Sequence, residues 1–205
     1  FGFWSRKANL LKLKSLRNDI NKRFGRGPTL HIAPSNIGSN AMYTFAFGLL
    51  SGCPSIIRIS EKNIQEFEDI FKLIKTLSEL DEFKELKDFF SFISYEHDDN
   101  LNNYFSSRVK SRVIWGGDKT INLFKSFKSS SHCIDLVFPN KVSTSIVSNQ
   151  WLFSSDQVEL RNKADFYARD IGLFSQMACS SPLGLILLKD CEQSYSTPLK
   201  EFLTN

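Results

Sequence analysis

The sequence is poor in the residues that staple or anchor a fold. Its four cysteines, Cys53, Cys133, Cys179 and Cys191, are far apart, with no CxxC pair and no cluster of Cys and His at metal-ligand spacing. That pattern argues against a structural zinc or a disulfide framework and points to a reduced, cytoplasmic compartment. The longest uncharged stretch, residues 41–57, is broken by Thr44, Gly48, Ser51, Gly52, Pro54 and Ser55, so the sequence predicts no membrane span. Neither the GxGxxG fingerprint nor a phosphate-binding loop ending in GK[ST] is present. There is no internal repeat, and the only low-complexity tract is Ser129, Ser130 and Ser131. The start, at Phe1 rather than Met, is basic and amphipathic rather than an apolar signal segment, and the chain reads as a piece of a longer one.

What is there is ordinary globular material with an excess of phenylalanine. Of 205 residues, 41% are apolar and 23% charged, and Phe occurs 19 times against 3 Trp and 5 Tyr. A chain of this length can bury a substantial core. The net charge of +4 is unevenly placed. Residues 1–26 carry eight basic side chains (Arg6, Lys7, Lys12, Lys14, Arg17, Lys22, Arg23, Arg26) and one acid, Asp19, leaving the remainder slightly acidic. Leu13, Leu16, Ile20 and Phe24 recur at helical spacing, which predicts a helix with an apolar stripe and a basic face. No aromatic residues interleave that face and no recognition motif accompanies it. It reads as a solvated helix face and not as a nucleic-acid or membrane surface.

Beyond Gly25-Arg26-Gly27-Pro28, short runs rich in Ile, Val and Phe alternate with helical patterns. Residues 29–33, 55–59, 90–95, 112–115, 133–138 and 144–147 read as strands. Residues 39–50, 61–80 and 119–127 read as helices, with Ser60 as the cap of the second, and 98–107 as a further helix or structured loop. Uncharged strands alternating with helices predict an α/β protein with a doubly wound, mostly parallel sheet. A charged helical pattern at 157–170 leads to Cys179, and a very apolar strand follows at 183–188. A boundary falls near 140–144, so the chain divides into residues 1–148 and a second segment, 149–205.

Three segments can carry chemistry. In His31-Ile32-Ala33-Pro34-Ser35-Asn36, a strand ends in small and polar residues, and ligands of doubly wound sheets bind at strand carboxyl ends. The Asn36 amide suits an oxyanion donor, and equally suits a cap on the following helix. In Trp115-Gly116-Gly117-Asp118, two glycines open a helix whose N-terminus favours a pyrophosphate, although ordinary turns use the same pair. Asp118 reads as the helix cap. Cys179, in Gln176-Met177-Ala178-Cys179-Ser180-Ser181-Pro182, is either a nucleophile or a small core residue.

Together these segments, with Leu50-Ser51-Gly52-Cys53-Pro54-Ser55-Ile56-Ile57-Arg58-Ile59-Ser60, Asp170 and Ser175-Gln176, resemble the LuxC-type acyl-CoA reductases, a branch of the aldehyde dehydrogenase superfamily. The resemblance runs from about residue 26 to 189. It implies a cofactor-binding α/β domain over 1–148 and the start of a catalytic domain over 149–205. It also implies that Cys179 is the nucleophile and that Asn36 shares the oxyanion with the Cys179 backbone N–H. Arg58, Ser60 and Glu61 then lie on the adenosine ribose side, and Gly116 and Gly117 beside the pyrophosphate. The sequence departs from the usual pattern at Ser35 and Gly38, which replace Gly and Pro, and at Cys53, which replaces Asn.

The resemblance implies NADPH, with NADH as the alternative: Arg58 can pair with a 2′-phosphate, whereas Glu61 repels one. It further implies an acyl-CoA or other acyl thioester as substrate and a fatty aldehyde as product. An acyl-activating or acyl-transferring protein is an expected partner, and the full-length protein is expected to be a homo-oligomer. No carboxylate lies in residues 138–143, where hydrolytic relatives carry a general base, which favours reduction over hydrolysis. Two other classes stay open on the residues alone. One is a non-catalytic α/β domain that holds a partner through the basic N-terminal helix. The other is a cysteine hydrolase pairing Cys179 with His31 or His132.

Overall fold

The computed structural model describes residues 2, 3, 5–16, 23–189 and 196–204. Arg17, Asp19, Ile20 and Lys22 of the expected N-terminal helix, and Cys191, lie outside the described residues. The chain forms two compact units, Phe1–Pro139 and Asn140–Asn205.

In the first unit, helix α1 (Lys7–Ser15) buries none of its residues. Leu13, Leu16 and Phe24, the described residues of the expected stripe, are exposed, and Phe24 lies beyond the helix. The elements that follow are β1 (Thr29–Ile32), α2 (Asn40–Leu50), β2 (Ser55–Arg58), a 3₁₀ turn (Glu61–Asn63), α3 (Ile64–Ser78) and β3 (Phe90–Ile93). Then come α4 (Asp99–Ser106), β4 (Ser111–Gly116), α5 (Asp118–Ser126) and β5 (Ile134–Pro139). All five strands are parallel, in the order β3-β2-β1-β4-β5. This is the doubly wound α/β sheet that the alternation of strands and helices predicts. The helix expected at 61–80 starts with a 3₁₀ turn, and Ser60 occupies the position before it without a side-chain capping bond.

The two faces of the sheet are filled differently. On one, α2 and α3 pack Ala41, Phe45 and Phe67 against Ala33, Ile57 and Ile59. Phe45 lies 4.8 Å from Phe90 and 5.0 Å from Phe92 between ring centroids, and Phe71 lies 5.0 Å from Phe92, so much of the phenylalanine excess is spent on this layer. On the other, α5 contributes Ile121 and Phe124 to a cluster with Leu30, Ile32, Val109 and Ile114. Strand β1 is buried along its whole length.

Two polar side chains in this interior are fully satisfied. Arg112 on β4 grips its register partner Asp135 on β5 through Nε and Nη2, both at 2.6 Å, while Nη1 donates to the Phe124 carbonyl at 2.6 Å. Such a forked pair is stronger than a neutral hydrogen bond and fixes the strand register. His31 is buried between Thr44 Oγ1 (2.6 Å from Nδ1) and Ser55 Oγ (3.2 Å from Nε2). The Ser55 hydroxyl donates to the Cys53 carbonyl, so it accepts from an Nε2–H, and Nδ1 accepts from Thr44. Both ring nitrogens of His31 are therefore engaged within its own unit.

The second unit comprises β6 (Ser143–Ser148), α6 (Asn149–Ser154), α7 (Gln157–Gly172), a 3₁₀ turn (Leu173–Gln176), β7 (Pro182–Leu188) and α8 (Ser196–Thr204). β6 and β7 pair in parallel over a core of Val147, Leu152, Leu160, Ala164 and Phe202. The short α6 is not anticipated by the sequence pattern. Ser148 caps it by accepting from the Trp151 N–H at 3.0 Å.

Burial lowers the His31 pKa to about 4 from 6.5. A folded value below the unfolded one makes the neutral imidazole a stabilising group above pH 6.5, and that contribution is lost as pH falls toward 4. His31→Gln removes the titration, so its urea-unfolding free energy should fall by about 3 kcal/mol less than wild type between pH 7 and 4.

Candidate active site

The strand order places a topological switch at β1. Its crossover through α2 leads to β2 on one side, whereas β4 pairs on the other side after the return through α4. The crevice at the carboxyl ends of β1 and β4 is the standard ligand position in open parallel sheets. Asn36 lies in the loop leaving β1, and Gly116 and Gly117 lie at the end of β4. Arg58 ends β2, followed by Ser60 and Glu61. All six expected residues of the first unit therefore come to one edge of one sheet.

The loop after β1 is stitched to the end of β2. The Ala33 N–H donates to the Arg58 carbonyl at 3.1 Å, and buried Asn63 donates from Nδ2 to the Pro34 carbonyl at 3.4 Å. Asn36 is exposed. Ser39 holds the N-cap position of α2, three residues on. Gly38 passes close to α3, where an added Cβ would meet Glu66 Oε2 at 2.3 Å and the Phe67 ring at 3.5 Å.

At the end of β4, Gly116 has φ +157°, and an added Cβ would meet Thr120 Cβ at 3.0 Å. Gly117, with φ −71° and ψ 169°, is the N-cap of α5, and Asp118 is the first helical residue. The expectation that Asp118 caps the helix is therefore corrected by one position. Gly117 adopts the extended cap geometry, which puts the carboxylate in the first turn, where the helix dipole still favours it.

Arg58 has a specific setting. Its guanidinium carbon sits 4.6 Å from the centroid of the Tyr95 ring, and Nη2 donates to the Tyr95 carbonyl at 3.1 Å. Arg58 Nε is buried without a partner. Tyr95 lies just beyond β3 and donates its hydroxyl to buried Asn102 on α4 at 2.8 Å. Burial raises the Tyr95 pKa, and the Arg58 charge opposes that shift. Glu61 is exposed. Sequence reading did not find Tyr95, because a lone Tyr after a strand carries no motif.

In the second unit, Cys179 is a free, exposed thiol in the turn between the 3₁₀ segment and β7. Ser143 Oγ donates to its carbonyl at 2.5 Å, holding the turn against β6. Ser175 and Gln176, with φ 50° and 61°, occupy the left-handed region just upstream. Non-glycine residues go there at a cost, and such strain gathers at functional turns. By contrast Cys53 is buried, and burial pushes the half-buried Cys133 thiol up. A cavity of about 600 Å³ in the first unit lies over His31, Val113, Leu136 and Phe138, and its lining includes none of Asn36, Arg58, Ser60, Glu61, Gly116 and Gly117.

Solved structures similar to this chain include aldehyde dehydrogenases. One from Bartonella henselae is 16% identical with a TM-score of 0.62, covering 87% of this chain and 34% of that one. PnpE of Pseudomonas sp. WBC-3, in complex with nicotinamide adenine dinucleotide, is 18% identical with a TM-score of 0.66, over 88% and 34%. Betaine aldehyde dehydrogenase from Staphylococcus aureus, in complex with NAD+, is 15% identical with a TM-score of 0.61, over 85% and 32%. The chain thus spans about a third of the length of these structures, and its fold is aldehyde-dehydrogenase-like. No curated protein matches it. The profile of the acyl-CoA reductase (LuxC) family matches residues 7–203, and the chain belongs to that family. No helix among the described residues is long and apolar enough to cross a membrane.

Gly116 supplies a checkable constraint. Gly116→Ala should destabilise the first unit by about 2 kcal/mol in urea unfolding, from the unfavourable φ and the overlap with Thr120.

Proposed function

We propose that the chain provides the cofactor-binding domain and the nucleophile segment of an NADPH-dependent acyl-CoA reductase that converts a fatty acyl thioester to an aldehyde. The observation that carries this reading is Cys179: a free, exposed thiol on a turn next to left-handed Ser175 and Gln176, in a chain of the LuxC family. In this reading residues 1–148 bind the cofactor and 149–205 begin the catalytic domain.

The residues at the sheet edge fit a nicotinamide dinucleotide. Gly116 lets the turn pack against Thr120 in a backbone conformation that side chains rarely adopt, and the N-terminal N–H groups of α5 are suited to a pyrophosphate. Arg58, Ser60 and Glu61 are assigned to the adenosine ribose side, with the Arg58 guanidinium, at the end of β2, as the cation among them. When bound, the reduced cofactor supplies the hydride that reduces the acyl carbon.

Cys179 Sγ, as the thiolate, attacks the thioester carbonyl. The C–S bond to the carrier breaks, the carrier thiolate takes up a proton, and the acyl group stays on Cys179 as a new thioester. Asn36 Nδ2 and the Cys179 backbone N–H are assigned to hold the oxygen when it carries negative charge. After reduction, loss of the Cys179 thiolate releases the aldehyde. Residues 138–143 carry no carboxylate, so the chain has no general base there to turn water on the acyl-enzyme. Free cysteines of this kind persist in a reduced cytoplasm. An acyl-activating protein as substrate donor and a homo-oligomeric parent protein also belong to this proposal.

The test is intact mass of the longest polypeptide carrying these residues, mixed with a long-chain acyl-CoA. Wild type should gain one acyl group and lose it on addition of NADPH, and Cys179→Ala should gain nothing. Acylation retained in that variant, or none in folded wild type, would overturn the reading in favour of a binding domain. Asn36→Ala should slow aldehyde formation by roughly a hundredfold or more in steady-state assays.

A further inference from the structure

Resting on the cofactor reading above, we propose that Tyr95 is a positioning residue for cofactor choice, holding Arg58 so that the free edge of its guanidinium receives the adenosine 2′-phosphate. Two features of the geometry lead there. The first is that Arg58 is held but not neutralised. Its Nη2 donates to the Tyr95 carbonyl, its Nε is buried without a partner, and among the described residues no carboxylate pairs with it. A partly desolvated guanidinium with unmade N–H bonds favours an anionic acceptor, and a planar fork suits phosphate oxygens.

The second feature is that Tyr95 is itself fixed from behind. Its hydroxyl donates to Asn102, which is 1% exposed, and its ring stacks on Phe105 at 6.1 Å between centroids. Helix α4 therefore sets the ring, and the ring and carbonyl set the cation at 4.6 Å and 3.1 Å. An arginine on an open strand end would otherwise sample many rotamers, and ordering it beforehand removes part of the cost of binding. Glu61, exposed three residues on, carries the charge sign that repels the same phosphate, so the outcome depends on how firmly Arg58 is oriented.

The experiment compares equilibrium binding of adenosine 2′,5′-bisphosphate and 5′-AMP to the longest polypeptide carrying these residues, without any turnover. Wild type should prefer the bisphosphate by about tenfold or more, the range of a charge-assisted hydrogen bond. Tyr95→Ala should reduce that preference by about fivefold while leaving 5′-AMP affinity in place, and Tyr95→Phe, which keeps the aromatic face and its stacking on Phe105, should retain most of it. Arg58→Gln should abolish the preference. If Tyr95→Ala does not fold, Tyr95→Leu keeps apolar volume without the aromatic face and takes its place.

Equal weakening of both nucleotides by the Tyr95 variant marks a merely structural role and overturns the proposal. A wild-type preference near one also overturns it while leaving the cofactor reading intact. Failure of folded wild type to bind either nucleotide overturns the cofactor reading itself.

Discussion

The double pairing of β1 is the constraint on which the first unit depends. Its four residues are hydrogen-bonded on one side to β2 and on the other to β4, and all four are buried. Because the chain leaves β1 through α2 toward β2 and reaches β4 only after turning back, neighbouring loops diverge at its carboxyl end. That divergence opens the crevice, and it brings Asn36, Arg58 and the Gly116-Gly117 turn to one edge although they are far apart in sequence. A slip in this register would move apolar residues such as Leu30 and Ile32 to the wrong layer.

The sheet is kept in register by polar groups as well as apolar ones. Arg112 and Asp135 sit opposite each other on adjacent strands, and the fork between them leaves neither charge unpaired inside. Replacing one partner alone would strand a buried charge, which is far more costly than never having had the pair. His31 follows the same rule in neutral form, with a hydroxyl on each ring nitrogen. Arg58 contrasts with both. It is stacked on Tyr95 and partly enclosed, and its buried Nε has no partner.

The second unit exposes a cysteine on a turn. Cys179 is one of three free cysteines among the described residues, and of these it alone is exposed. Its neighbours explain the difference. Ser175 and Gln176 in left-handed geometry interrupt the path from α7, and Ser143 ties the Cys179 carbonyl to β6, leaving the thiol outside the core. A buried position would have satisfied the apolar side of a cysteine and silenced its nucleophilic side.

Much of this was legible in the sequence, for identifiable reasons. The Ile, Val and Phe runs and the helical spacing of Ile64, Phe67, Ile70 and Ile74 determined the strands, the helices and the doubly wound class, because period and burial are local properties of a chain. The motif residues likewise carried the family. Tertiary structure decided the rest. Asp118 lost the cap to Gly117 because backbone geometry at the turn, not side-chain type, sets that position. The described stripe residues Leu13, Leu16 and Phe24 stay exposed, since a helix buries its apolar face only where a second surface meets it. The placement of Tyr95 over Arg58, 37 residues away in sequence, follows from β2 lying beside β3, a pairing that no local pattern specifies.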